Sequence, residues 1–149
     1  MWVIRRLKSL GANNLELLDI YNKHCRSILE FGVPAWHSAI TKQERIDLER
    51  VQKMALHIIL GQKYENYENA LKITNLHTLE ARRDKLCLKF AKKAEKHMKH
   101  KNWFKPRQQT NTRQQNLKYC EVTARTDRLK KSSIPYLTNI LNCHYSKKK

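Results

Sequence analysis

Residues 41–61 read TKQERIDLERVQKMALHIILG, and their pattern sets the fold class. Thr41 and Glu44 stand at capping-box spacing: the threonine oxygen accepts from the backbone three residues on, and the glutamate reaches back. Downstream, Leu48, Val51, Ala55, Ile58 and Ile59 recur at the three-and-four spacing of one helical face. Gly61 then supplies the left-handed residue on which helices commonly stop. Start signal, apolar stripe and stop signal agree, so the stretch is a helix.

The same reading extends outward in both directions. Residues 1–10, MWVIRRLKSL, form a helix already under way without a capping residue ahead of it, and Gly11 closes it. A frayed first helix and a segment cut from something longer both fit that start. Asn14 is placed to cap a second helix running to about Phe31, with Leu18, Tyr21, Cys25 and Ile28 along one stripe. Gly32 and Pro34 end it, and Val33 to Ile40 reads as a short non-helical connection holding Trp36. A looser stretch with Tyr64 and Tyr67 leads into a short helix around Glu68 to Ile73.

Thr78 caps the last long helix, about Leu79 to Met98, whose stripe is Leu79, Leu86, Phe90, Ala94 and Met98 with Cys87 and Ala91 beside it. Its other faces carry Arg82, Arg83, Lys85, Lys89, Lys92, Lys93 and Lys96, opposed only by Glu80, Asp84 and Glu95. Trp103 and Phe104 are expected to fold back on the core. The expectation is an all-α protein: a small bundle of four to five helices over residues 1–106, with a basic, largely disordered C-terminal third. Within that third, 107–132 reads as a basic polar disordered linker. Residues 133–149 read as a short terminal helix and basic tail, with Pro135 in the first turn and an apolar face of Tyr136, Leu137, Ile140 and Leu141.

Thirty-one Lys and Arg against thirteen Asp and Glu give a net charge of +18 over 149 residues. The excess grows along the chain: nine basic against six acidic residues in 1–60, twelve against five in 61–106, and ten against two in 107–149. A surplus on that scale favours polyanions, nucleic acid first among them. A solvated basic surface with a loose tail is the plainer alternative. An anionic membrane fits less well, because no segment combines strong amphipathicity with bulky apolar anchors. No apolar stretch approaches the roughly 18 residues of a span and no signal-peptide pattern opens the chain, so the expected location is nuclear or cytoplasmic, not secreted. Cys25, Cys87, Cys120 and Cys143 form no CxxC pair, and two of them fall on apolar helix positions; free thiols in a reducing compartment are expected.

Catalytic and metal chemistry has little to stand on. Asp19, Asp47, Asp84 and Asp127 are each isolated, so no acidic cluster is in place for two metal ions. His97 with His100 and Cys143 with His144 are the close His and Cys pairings, and neither is half of a usual zinc pattern. There is no HxD or HExxH triplet, and the dispersed Gly11, Gly32 and Gly61 make no phosphate-cradling loop. Trp36 and Trp103 suit either base stacking or packing. Packing is favoured, with Trp36 pressed between the second and third helices by the preceding Gly-Val-Pro-Ala.

Several runs share an order: 5–10 RRLKSL, 17–21 LLDIY, 26–37 RSILEFGVPAWH, 48–61 LERVQKMALHIILG and 76–90 LHTLEARRDKLCLKF, with a weaker echo at 134–142 IPYLTNILN. Together they resemble the helical region behind the polymerase core in non-LTR retrotransposon reverse transcriptases of the jockey kind, over about residues 2–106. The resemblance implies a thumb-like domain that grips a template–primer duplex. By that analogy Arg26, Arg50, Lys53, Arg82, Arg83, Lys89, Lys92 and Lys93 contact phosphates and do not read bases. The implied partners are RNA, DNA or RNA–DNA duplex and the missing polymerase domains, with no membrane. The parent enzymes use Mg2+ in a palm with paired aspartates. That palm is missing here, so the chain alone is expected to hold no cofactor and to catalyse nothing. A similar stretch opens some AlkB-type tRNA-modifying proteins, whose iron triad and cofactor loop this chain lacks. A helical protein-interaction module, with the Tyr136/Leu141 face as a docking helix, and a non-functional translated remnant are the competing readings.

Overall fold

Thr41 and Glu44 do form the capping box: Thr41 Oγ1 accepts from the Glu44 N–H at 3.2 Å, and Glu44 accepts from the Thr41 N–H at 2.6 Å. Bonds from the Thr41 N–H and from the Thr41 hydroxyl, the latter at 2.9 Å, hold the Glu44 carboxyl below the usual carboxylate range. The computed structural model describes residues 1–108 and 117–146. The protein is all-α, with no strand among the described residues. Its helices are α1 (Trp2–Ser9), α2 (Asn14–Ile20), α3 (Arg26–Leu29), α4 (Val33–Trp36), α5 (Lys42–Leu60), α6 (Tyr67–Thr74), α7 (Leu79–Lys96), α8 (Asp127–Lys130) and α9 (Ser133–Ser146).

The chain divides into two compact units: residues 1–31 with 41–82, and residues 32–40 with 83–149. This differs from the expected partition at 106 and 132. α7 contributes its first turn to unit 1 and the rest to unit 2.

In unit 1, Ile4, Leu17, Tyr21, Ala55 and Ile59 form one buried cluster, and Leu56, Leu60 and Ala70 a second. Between α2 and α3 the backbone makes a π-helical turn, Tyr21–Cys25, in which the Arg26 N–H donates to the Tyr21 carbonyl five residues back. The wider turn shifts the angular phase of α3. Leu17 and Tyr21, ahead of the shift, face the core, while Ile28 beyond it, expected on the stripe with Tyr21, is 75% exposed. Asn13 rather than Asn14 caps α2, in a second capping box with Glu16.

A buried polar chain locks the unit. Tyr21 donates to Gln52 Oε1 at 2.8 Å; Gln52 Nε2 donates to Tyr67 Oη and to the His77 carbonyl; Tyr67 donates to Glu49, which also accepts from the Leu79 N–H. Burial, with Glu49 beside Tyr67, pushes both phenols above their ordinary range. At the end of α5, Lys8 Nζ donates to the Ile58 and Ile59 carbonyls, placing a cation on the negative end of the helix. Gly61 follows at φ 55°, and a Cβ there would stand 2.9 Å from Lys8 Nζ. The positive φ is what calls for a glycine at this position, since the lysine tip can move aside.

Unit 2 gathers Val33, Cys87, Ala91, Ala94, Phe104, Tyr119, Leu137 and Leu141. Gly32 takes a left-handed conformation, and Val33–Trp36 then makes one helical turn with Pro34 at its start, where a loop was expected. Trp36 packs against the unit 2 cluster, not between the second and third helices as expected. Phe104 is buried, as its sequence position implied.

The C-terminal third departs from expectation in its described part. Residues 109–116 of the expected linker, and 147–149 of the tail, lie outside the described residues. Tyr119, inside that linker, is buried and clamped on both sides. Its backbone N–H and C=O pair with Asn142 Oδ1 and Nδ2 at 3.0 and 3.1 Å, and an isolated antiparallel bridge joins it to Pro106. Glu95 accepts from Tyr119, Lys118 and Tyr145, and Lys118 Nζ lies 3.9 Å from the Tyr145 ring centroid. Side-chain partners from helices far away in sequence thus order a stretch whose own composition is too polar to do so. α9 is longer than expected. Its Leu137 and Leu141 are buried and its Tyr136 and Ile140 pack against the same cluster, so the face read as a docking helix is used internally.

Asn142→Leu leaves the buried Tyr119 N–H and C=O without partners and should cost about 2 kcal/mol, measurable by thermal unfolding. Burial raises the Glu95 carboxyl, but the hydrogen bonds from Lys118, Tyr119 and Tyr145 outweigh it and hold the group below its ordinary value. A depressed carboxyl stabilises the fold above its unfolded pKa, and that contribution is lost as pH falls through the folded value. Glu95→Gln should therefore flatten the acid limb of the stability–pH profile below about pH 4.5.

Candidate nucleic-acid interface

α7 begins where Thr78 Oγ1 accepts from the Ala81 N–H at 3.2 Å. Glu80 in the first turn and Lys93 and Lys96 in the last suit the helix dipole. Its buried residues are Leu79, Arg83, Cys87, Ala91 and Ala94, one face of the helix. Phe90, at 38% exposed, and Met98, at 87%, lie outside the core that the expected stripe assigned them. Burial, with Asp84 nearby, pushes the Cys87 thiol up to about 11, and all four cysteines are free thiols.

With the buried face fixed, rotation of about 100° per residue decides where the cations go. Lys85, Lys89, Lys92, Lys93 and Lys96 fall within an arc of about 100° opposite Cys87 and Ala94. Lys92 is half-buried and the other four are exposed. Among the described residues none of the five has an ion-pair partner or a hydrogen-bonded side chain. From Lys85 to Lys96 the ridge is about 16 Å long at 1.5 Å per residue. Its five cations are enough to neutralise about five phosphates. Lysines three and four apart repel by about 0.2–0.5 kcal/mol per pair, a cost that a polyanion laid along the ridge removes.

Charge by unit points the same way. Unit 2 contains nineteen Lys and Arg against four Asp and Glu (+15), and unit 1 twelve against nine (+3). Of the residues that the resemblance implied, Lys89, Lys92 and Lys93 stand together on this ridge. Lys85 and Lys96 complete it and were not among the implied contacts; the helical angle from the buried positions is the signal that finds them.

The other implied residues are placed differently. Arg83 is 1% exposed, and its Nε donates to His37 Nδ1 at 3.3 Å. His37 Nε2 and Tyr136 Oη both lie 3.0 Å from Asp84 Oδ1. In unit 1, Arg82 grips Glu30 through Nε and Nη2, and Arg26 Nε lies 3.7 Å from the same carboxylate. Burial and the Arg82 guanidinium lower the Arg26 pKa, while the Glu30 hydrogen bonds raise that of Arg82. Arg50 is exposed and 3.5 Å from Asp47, and Lys53 Nζ lies 5.1 Å from the Tyr67 ring centroid.

Asp19, Asp47 and Asp127 pair with Lys23, Arg50 and Lys130, and Asp84 Oδ1 faces His37 and accepts from Tyr136. Among the described residues no three His, Cys, Asp or Glu side chains gather as a metal site, and no helix is long and apolar enough to cross a membrane. No protein-family model, curated protein or solved structure matches the chain.

Glu30→Gln should destabilise the protein by about 2 kcal/mol in urea unfolding, because two partly buried guanidinium groups lose their shared anion. Arg26→Gln should likewise lower stability while leaving the salt dependence of any nucleic-acid binding unchanged.

Proposed function

We propose that this chain is a nucleic-acid-gripping helical protein, related to the thumb region of a non-LTR retrotransposon reverse transcriptase and without catalytic activity of its own. The observation that carries the reading is the lysine ridge of α7, unpaired among the described residues, in a unit of charge +15. Phosphates along one strand neutralise it, giving affinity that ignores sequence and falls with salt. RNA, DNA and RNA–DNA duplexes all present that charge, and nuclear or cytoplasmic nucleic acid is the setting the reading requires.

A second reading rests on a separate observation in unit 1. Trp2, Leu10, Leu15 and Ile28 are each more than two-thirds exposed, as expected of a surface that a further domain completes. The two readings are compatible if the partner is the missing polymerase core.

Substituting Gln for Lys85, Lys89, Lys92, Lys93 and Lys96 tests the first reading. With the ridge intact, affinity for an RNA–DNA duplex should fall a few hundredfold between about 50 and 200 mM salt, as expected for about five phosphate contacts. The five-fold variant should bind weakly at all salts, with its log–log slope reduced by about four. Unchanged affinity and slope in that variant, measured by fluorescence anisotropy, would rule the ridge out.

A further inference from the structure

Beside the lysine ridge, unit 2 opens an apolar cavity of about 430 Å³. Its walls include Phe90 of α7, Trp103, Pro34 at the start of α4, and Ile134 and Leu137 of α9. The volume falls within the roughly 300–1,000 Å³ of small-ligand clefts. Trp103 is itself held in place: its ring centroid lies 4.3 Å from that of His100, which stacks on His97 at 4.9 Å. Phe90 is the partly exposed aromatic of α7, and it is bracketed in sequence by Lys89 and Lys93, both exposed.

The lining itself carries no charge, but Lys93 stands one helical turn from Phe90 on the same helix surface, and a purely hydrocarbon occupant or a partner's apolar side chain would gain nothing from that cation. A nucleotide uses both features, because its base is a planar apolar face and its phosphate an anion. We infer that the cavity receives an unpaired nucleobase of single-stranded nucleic acid, stacked on Phe90 and Trp103 with the flanking phosphates on Lys89 and Lys93. Few polar groups line the cavity, so the base is held by stacking without regard to its identity. The inference rests on the phosphate-gripping reading and adds to it a preference for strands with exposed bases.

The test compares a short oligothymidylate with an abasic phosphodiester of the same length and charge, using the full chain at fixed low salt. The wild-type protein should bind the oligothymidylate about tenfold more tightly, the scale of a single base–aromatic stack. Phe90→Ala should erase that difference and leave the affinity for the abasic strand unchanged, and Phe90→Tyr should retain it. Phe90 is partly exposed, so its truncation spares the core, and an unaltered melting temperature verifies this. Equal binding of the two strands by the wild-type protein would overturn the base cavity while leaving the phosphate ridge standing. So would base selectivity that survives Phe90→Ala. Failure of the wild-type protein to bind either strand would remove the ridge reading and the cavity with it.

Discussion

Arg83 faces inward, and much of unit 2 depends on that. A guanidinium at 1% exposure demands an acceptor, which His37 Nδ1 supplies at 3.3 Å. Accepting there leaves the histidine proton on Nε2, directed at Asp84, which Tyr136 also engages. One buried cation thus ties α4, α7 and α9 to each other. Among the described residues Arg83 Nη2 has no hydrogen-bond partner. With Arg83, Cys87, Ala91 and Ala94 turned in, helix geometry leaves the lysines of α7 nowhere to go but outward. The basic ridge is the other side of a packing constraint.

Polar side chains do much of the remaining positioning. Unit 1 is closed by the chain from Tyr21 through Gln52 to Tyr67 and Glu49, and unit 2 by Glu95 and Asn142 on the segment around Tyr119. Each joins elements far apart in sequence. Buried polar groups that are satisfied in this way fix one arrangement of their helices more narrowly than apolar contact alone. A rigid frame of that kind suits a surface whose lysines must keep their spacing against mutual repulsion.

What the sequence made legible was local. The Thr41–Glu44 box, the glycine stop at residue 61 and the cap at Thr78 are short-range chemistry, and they stand where the sequence implied. The apolar stripes were less well placed. A π turn at Tyr21–Cys25 changed the phase of the second helix, and nothing in YNKHC marks it. On α7 the resemblance implies Arg83 as a phosphate contact, whereas His37, distant in sequence, makes it tolerable as an interior residue. Tyr119 looked loose because its partners, Glu95 and Asn142, cannot be paired with it from spacing. For the candidate site, the same limit explains why Arg26 and Arg82 read as phosphate contacts: their shared anion, Glu30, is visible only once the helices are packed.

The most direct measurement is a titration of the isotopically labelled full chain with an RNA–DNA duplex at low salt, followed by backbone amide NMR. Perturbations centred on residues 85–96, and fading as salt is added, are expected if the outward face of α7 meets the phosphates. Perturbations centred on Arg26, Glu30 and Arg82 with residues 85–96 silent would contradict that assignment, and so would a spectrum that does not change.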